Sequence, residues 1–322
     1  MNSEWYGNIG KIVVPTPFAV GNVNAYLIKG DVLTLIDAGP KTDEAWDAMQ
    51  TGLKNLGFNP QDIEQVILTH HHPDHVGLLD YFSEDVPIYG HSYNKDWLLR
   101  TDEFIQKHDD FYASLFYELG LPEQFLMFLE RLKAPLKWMC QRSLTGVLAE
   151  NDFIPGLPEW KVIETLGHAQ SHLSFYREKD GVLLAGDHII AHISSNPLIE
   201  PAEIMEGPRP KPQIQYNTSL NKMLDYDIST AFSGHGKEIT KVHELIGRRL
   251  NRQHDRAMKV KEMLKGTPRS CFEVCQQLFP EIFKKELGLT MSETLGQLDY
   301  LVHMGDVSVT YNEKGVALYK AN

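Results

Sequence analysis

The segment Thr69-His70-His71-His72-Pro73-Asp74-His75 places four histidines and one carboxylate within seven residues, directly after the apolar run Val66-Ile67-Leu68. A short apolar run bounded by polar residues reads as a buried strand. The histidines therefore leave the C-terminal end of that strand on one short loop, from which alternate side chains can aim at a single point. Imidazole and carboxylate are the donors that bind zinc and its first-row neighbours. A plain polar turn gains nothing from so many imidazoles, whereas a His-rich short tract is itself a metal signal.

What surrounds the loop is layered. Lys11 to Pro15, Asn24 to Lys29 and Val32 to Asp37 carry β-branched and apolar residues between Gly and Asn punctuation, so they read as strands. Asp43 to Leu56 has Ala45, Met49, Leu53 and Leu56 on one stripe and reads as a helix. Gln65 to Thr69 is the strand that delivers the histidines, and strands return over Lys161 to Asp187 and Thr230 to Phe232. This alternation predicts α/β layers rather than a helical bundle. The chain has 322 residues and a net charge of -12, which argues against a nucleic-acid binder over its whole surface. No apolar stretch is long enough to span a bilayer, and the start through Tyr6 lacks the basic and apolar parts of a signal peptide, so a cytoplasmic protein is expected. Cys140, Cys271 and Cys275 are too few and scattered for a disulfide framework; Cys271 and Cys275, four apart on a helical pattern, read as small core residues.

Two regions break the α/β rhythm. Between about 92 and 144, Trp97, Leu98, Ile105, Phe111, Leu115, Phe116 and Leu119 recur at helical spacing, and 125–129 is densely apolar. This inserted segment is either a helical hood over the metal loop or additional core helix. Beyond 243 the chain turns basic, with Arg248, Arg249, Arg252 and Arg256 among its cations. Helical patterns over Leu250 to Leu264, Cys271 to Leu278 and Ser292 to His303, followed by a hairpin from Val307 to Tyr311 and Val316 to Tyr319, describe a winged-helix module. The expected domains are 1–243, with the insertion at 92–144, and 244–322.

His70, His72, Asp74 and His75 form the pattern H-x-H-x-D-H, and Gly167-His168, Gly186-Asp187 and Gly234-His235-Gly236 each follow an expected strand. With Asn22 to Ile28 and Leu35 to Gly39, these elements resemble the metallo-β-lactamase superfamily, within it the glyoxalase II-like hydrolases that carry a C-terminal winged helix. The resemblance implies an αββα sandwich with its site at one edge. It assigns His70, His72 and His168 to one metal, Asp74, His75 and His235 to the other, and Asp187 as the bridge. It also implies hydrolysis by a hydroxide held between two divalent cations about 3.5 to 4 Å apart, with Asp74 holding both metal and hydroxide. Zinc comes first, and the same donors admit iron or manganese. His71, between ligands, is expected to point away from both metals, and none of His172, His188 and His192 is expected to ligate. Asp37 is expected to hold the outer nitrogen of a ligating imidazole.

For substrate, an apolar hood suits an acyl group, and Arg248 and Arg249 could grip an anionic handle such as that of glutathione or coenzyme A. A small-molecule ester, thioester or lactone is therefore expected. The alternative is a nuclease cutting single-stranded RNA or another phosphodiester; a non-enzymatic metal-binding regulator is a third. Met291 to Met304 carries Glu293 and Asp299 with no Lys or Arg, a poor groove reader, so a packing, dimerising or pocket-completing role is expected for the tail. Ala169-Gln170-Ser171-His172 stands where Thr-Pro-Gly-His is common in the family, and Ser233 where Pro is usual.

Overall fold

Val23, Ala25 and Leu27 face one apolar layer while Tyr26 and Ile28 face another, so the strand they share is buried on both sides and reads as a continuous apolar run. The computed structural model describes residues 3–125, 128–203 and 207–322. Leu126 and Met127 of the apolar run in the insertion lie outside the described residues.

Seven strands, β1 (Ser3–Tyr6), β2 (Ile9–Val14), β3 (Val23–Ile28), β4 (Thr34–Ile36), β5 (Gln65–Ile67), β6 (Ile88–Gly90) and β7 (Gly146–Val147), form the first sheet in chain order. Pairing is antiparallel through β4 and parallel from β4 to β7. The second sheet contains β8 (Phe153–Ile154), β9 (Leu157–Glu164), β10 (Leu173–Arg177), β11 (Val182–Gly186) and β12 (Thr230–Ser233), ordered β12-β11-β10-β9-β8. Only β11 and β12 run parallel there. Tyr26, Ile36 and Ile67 of the first sheet meet Trp160, Val162, Phe175, Leu184 and Phe232 of the second in one buried layer.

Helices close the outer faces. The helix α1 (Asp43–Asn55) starts on Thr42, whose side chain accepts a hydrogen bond from the Ala45 amide, and presents Ala45, Met49 and Leu53 to the first sheet. Further along the chain come the short α2 (Pro73–Val76), then α3 (Asn94–Leu99), α4 (Asp102–Glu118) and α5 (Phe128–Lys133) in the insertion. On the second sheet, α6 (Pro212–Lys222) and the first half of α7 (Val242–Met263) bring Tyr216, Leu220, Leu245 and Ile246 against Ile163, Leu183 and Ala231. Helix, sheet, sheet and helix thus stack in the expected αββα order.

The C-terminal part contains α8 (Cys271–Leu278), α9 (Leu287–His303) and the antiparallel pair β13 (Val307–Tyr311) and β14 (Ala317–Ala321). Cys271 and Cys275 are buried in its core. The expected boundary at 243/244 falls in the first turn of α7, which runs unbroken for 22 residues from the second sheet's outer layer into this core. The insertion is drawn into it as well. Leu115 and Phe116 of α4 share one core with Leu295, Leu298 and Leu301 of α9, while Trp97, Leu98 and Phe104 join the first sheet's core. Among the described residues, the apolar stripe of the insertion is consumed as core, because these side chains have more apolar area to bury against sheet and helix than over a polar site.

Leu298 is fully buried at the centre of the C-terminal core. Its replacement by alanine is expected to cost about 2–5 kcal/mol from lost contacts and the cavity left behind, read as a lowered urea unfolding midpoint.

Candidate metal centre

All the functional loops leave the same edge. Parallel pairing brings the C-terminal ends of β4 and β5 together, and likewise those of β11 and β12, the edge at which open α/β sheets place ligands. Pro73 opens α2 at its first helical position, where a missing amide hydrogen costs nothing, and that turn sets Asp74 and His75 side by side. Asp187 follows β11 and His235 follows β12, each directly after a glycine. A Cβ at Gly234 would stand 2.1 Å from Asp187 Oδ1, so only glycine lets the two loops approach this closely. His168 lies in the turn between β9 and β10.

Two donor groups result. His72 Nδ1 lies 2.9 Å from His70 Nε2 and 3.0 Å from His168 Nε2. Beside it, His235 Nε2 lies 3.3 Å from both Asp74 Oδ2 and Asp187 Oδ2, and His75 Nε2 lies 3.5 Å from Asp187 Oδ1. Asp187 Oδ2 also lies 3.6 Å from His168 Nε2, so one carboxylate faces both groups. Every residue in the expected ligand set is at this edge.

The outer bonds fix which nitrogen of each ring faces inward. His168 Nδ1 and His235 Nδ1 face the carbonyls of Asn196 and Asn22 at 3.1 and 2.8 Å; carbonyls only accept, so both Nδ1 atoms carry the hydrogen. His75 Nδ1 donates to Asp37 Oδ2 at 2.8 Å. The Thr69 hydroxyl donates to that same carboxylate and so accepts from His70 Nδ1 at 2.9 Å. His72 turns the other way, with Nε2 at 3.3 Å from Glu200 Oε1. One nitrogen of each of five imidazoles therefore points inward. Among the described residues, His75 Nε2, His235 Nε2 and Asp187 Oδ1 are buried without a hydrogen-bond partner. Buried polar atoms are rarely left so, and donors of this kind fit a pair of divalent cations.

Electrostatics differ between the groups. Burial, reinforced by neighbouring imidazoles, holds His70 well below its ordinary pKa and takes His168 down to about 4, so both are neutral at pH 7. Burial also opposes charge on His235, but Asp187 and Asp74 outweigh it and push this imidazole up to about 10. Desolvation likewise works against Asp74, yet His75 and His235 hold it below its usual range. The carboxylate-rich half is thus a field that attracts positive charge.

Asp37, buried at the end of β4 with a left-handed φ of 59°, also accepts from the Thr69 amide at 2.8 Å, so one carboxylate braces both His70, through Thr69, and His75. His71 turns away from both groups, stacking on Trp97 with centroids 4.3 Å apart and bonding Ser171 and Glu200. His172 Nε2 accepts from the Asp187 amide at 3.0 Å, holding the bridge residue rather than joining the donors. Arg249 departs from its expected role. Its Nη2 is buried against the carbonyls of Ile190, Ala191 and Ile193, which fixes a loop, whereas Arg248 is exposed and pairs with Glu244. Sequence reasoning missed Ser195 and Glu200, which sit in a segment without periodicity or motif.

The sequence profile of the metallo-beta-lactamase superfamily matches residues 19–235. This chain belongs to the metallo-beta-lactamase superfamily. It is 45% identical over 290 residues to the probable metallo-hydrolase YqjP of Bacillus subtilis, covering 90% of this chain and 91% of that protein. The crystal structure of the metallo-beta-lactamase family protein TTHA1429 from Thermus thermophilus is similar at a TM-score of 0.82 and 25% identity, covering 98% of this chain and 99% of that one. A beta-lactamase domain protein from Burkholderia ambifaria shares the fold at a TM-score of 0.81 and 20% identity, covering 99% and 94%. Such coverage extends the shared architecture through the insertion and the C-terminal helices.

In the superfamily's donor set as it stands here, the cation-free protein holds a proton on His235 at pH 7 that ligation must displace. Loading with zinc is expected to release protons, and affinity at the carboxylate-rich half to rise as pH climbs from 7 towards 10. Calorimetry in buffers of different ionisation enthalpy measures both.

Proposed function

We propose that this chain is a hydrolase of small-molecule esters, thioesters or lactones that uses two divalent cations, zinc first, with iron or manganese admitted by the same donors. The observation that carries the reading is Asp187, whose Oδ2 lies 3.6 Å from His168 Nε2 and 3.3 Å from His235 Nε2 and so joins two donor groups into one centre. The similarity to a protein named a probable metallo-hydrolase supports it. His70, His72 and His168 would hold one cation, Asp74, His75 and His235 the other, and Asp187 both. When bound, such a pair polarises a scissile carbonyl and lowers the pKa of water towards neutrality. Asp74, ionised because His75 and His235 face it, is the acceptor that orients the attacking water and takes up its proton.

An anionic substrate group has a place to sit. A cavity of about 340 Å³ is lined by Ala191, His192, Leu245, Arg248, Arg249 and Arg252, and His192 packs beside Gly236 on the His235 loop. With Arg249 turned to backbone carbonyls, the cations at this cavity that could meet a carboxylate or phosphate are Arg252 and Arg248, the latter exposed and paired with Glu244. The helix that a winged-helix protein would insert into nucleic acid is not free to do so here. Most of α9 is buried, with Glu293 paired to Arg256 and Asp299 to Arg209. No helix among the described residues is long and apolar enough to cross a membrane.

Asp187→Asn, which removes the shared charge, is expected to lower kcat/KM for an acyl thioester or lactone by at least about two orders of magnitude, the scale of lost electrostatic stabilisation. Arg248→Ala is expected to raise KM for an anionic acyl thioester while leaving kcat unchanged. A zinc-loaded protein that leaves thioesters and lactones intact but cuts a short RNA would overturn the small-molecule reading.

A further inference from the structure

Between β11 and α6 the chain forms no helix or strand over 187–203, yet much of it is buried. This strap lies across the His70, His72 and His168 half of the centre. Its Ser195 hydroxyl is 2.8 Å from His168 Nδ1, beside the Asn196 carbonyl that accepts from the same atom. Five residues on, Glu200 is only 4% exposed. Its Oε1 lies 3.3 Å from His72 Nε2 and 3.1 Å from His71 Nε2, and its Oε2 accepts from the Gln170 amide at 2.8 Å. Two of the positions where this chain departs from the common family pattern, Gln170 and Ser171, help complete this pocket: the Gln170 amide binds Glu200, and Ser171 binds the far nitrogen of His71.

The strap's other side is tied to the parts of the chain outside the sandwich. Arg249 of α7 bonds the carbonyls of Ile190, Ala191 and Ile193. Ser292 of α9 accepts from the Ile199 amide at 3.3 Å, and the Ile199 side chain is buried in the C-terminal core. From the insertion, Tyr112 donates to the Ile199 carbonyl at 2.5 Å and Tyr93 to that of Pro201 at 2.9 Å. In the other half of the centre, His75 rests on Asp37 and His235 on the Asn22 carbonyl, so both rings take their outer partner from the sandwich.

His71, His72 and Glu200 also have the composition of a third metal group. The tautomers argue otherwise. His72 directs its bare Nδ1 at His70 and His168, so its Nε2 carries a hydrogen and meets Glu200 as a donor.

We propose that Glu200 and Ser195 are positioning residues for His72 and His168, and that through their strap the insertion and the C-terminal helices control cation binding at one half of the centre. The inference rests on the two-cation reading above. A carboxylate on the outer nitrogen fixes tautomer and ring direction together, and the backbone that carries Glu200 is anchored by the ties of Ile199 and Pro201 beside it to α9, α4 and Tyr93.

The test is titration of the metal-free full-length protein with Co²⁺, followed by the visible absorption of the bound ion, on wild type, Glu200→Gln, Ser195→Ala, Ser195→Thr and Ser292→Ala. Wild type is expected to take two equivalents. Glu200→Gln is expected to weaken one equivalent by about 10–100-fold and to leave the other unchanged, the usual scale for losing such a partner. Ser195→Ala should weaken the same equivalent and Ser195→Thr, which keeps the hydroxyl, should restore it. Ser292→Ala, remote from every donor, should weaken that equivalent by a smaller factor. Thermal unfolding of the metal-free variants within a few degrees of wild type shows that folding is intact. Two wild-type equivalents in all variants, or equal weakening of both equivalents, overturns the positioning role while leaving the hydrolase reading standing. A wild type that binds no Co²⁺ or Zn²⁺ overturns both.

Discussion

Five imidazoles crowd one edge of this protein with their inner nitrogens facing one another, an arrangement that water or a neighbouring side chain would undo if any ring were free to turn. Each ring is locked from behind. Asp37 holds His75 directly and His70 through Thr69, the Asn22 carbonyl holds His235, and the strap holds His72 and His168. Those outer bonds choose the tautomer, and the tautomer leaves an inward lone pair where a cation can use it. Everything else in the fold can be understood as what is needed to bring these acceptors into place.

The sandwich supplies half of them. Pairing of β4 with β5 sets Asp37 beside Thr69, so the end of one strand braces the loop that leaves the next. Across the sheets, Tyr26 and Asn24 of β3 bond the Ser233 carbonyl at 2.6 and 2.9 Å, which fixes the His235 loop of the second sheet against the first. Ser233, where the family usually has Pro, uses its hydroxyl to bond the Ile189 carbonyl at 2.7 Å and so holds the start of the strap as well. The buried layer between the sheets gives these polar bonds a dry setting, in which each counts for more than at the surface.

The remaining acceptors come from outside the sandwich, and this gives the additional chain a purpose in the centre. The insertion spends its apolar stripe on two cores, joining the first sheet to the C-terminal helices. α7 passes through both units without a break, and the buried carboxylates of α9 are neutralised by arginines rather than offered to solvent. A tail built this way is a clamp on the strap. Among the exposed cations of its basic helix, Arg248 and Arg252 line the cavity beside the His235 loop.

What the sequence determined by itself was whatever is written locally. The donors announce themselves by residue type and by the glycine before them, and the strands and helices by period, so the ligand-bearing loops, the helix over Cys271 to Leu278 and the αββα order were legible. Asp37 was legible too, because it ends a strand next to the histidine loop. Tertiary structure alone decided the rest. Glu200 has no periodicity around it and lies 128 residues from His72, so only the fold reveals that it stands behind that ring. Arg248 and Arg249 are neighbours of identical type, yet helical geometry turns one outward to Glu244 and the other inward to three carbonyls. The apolar stripe of the insertion looked equally suited to a hood or a core, because periodicity reports that a face is buried and never against what. Local chemistry selects the donors, but which nitrogen each one offers depends on an acceptor that the chain brings from far away.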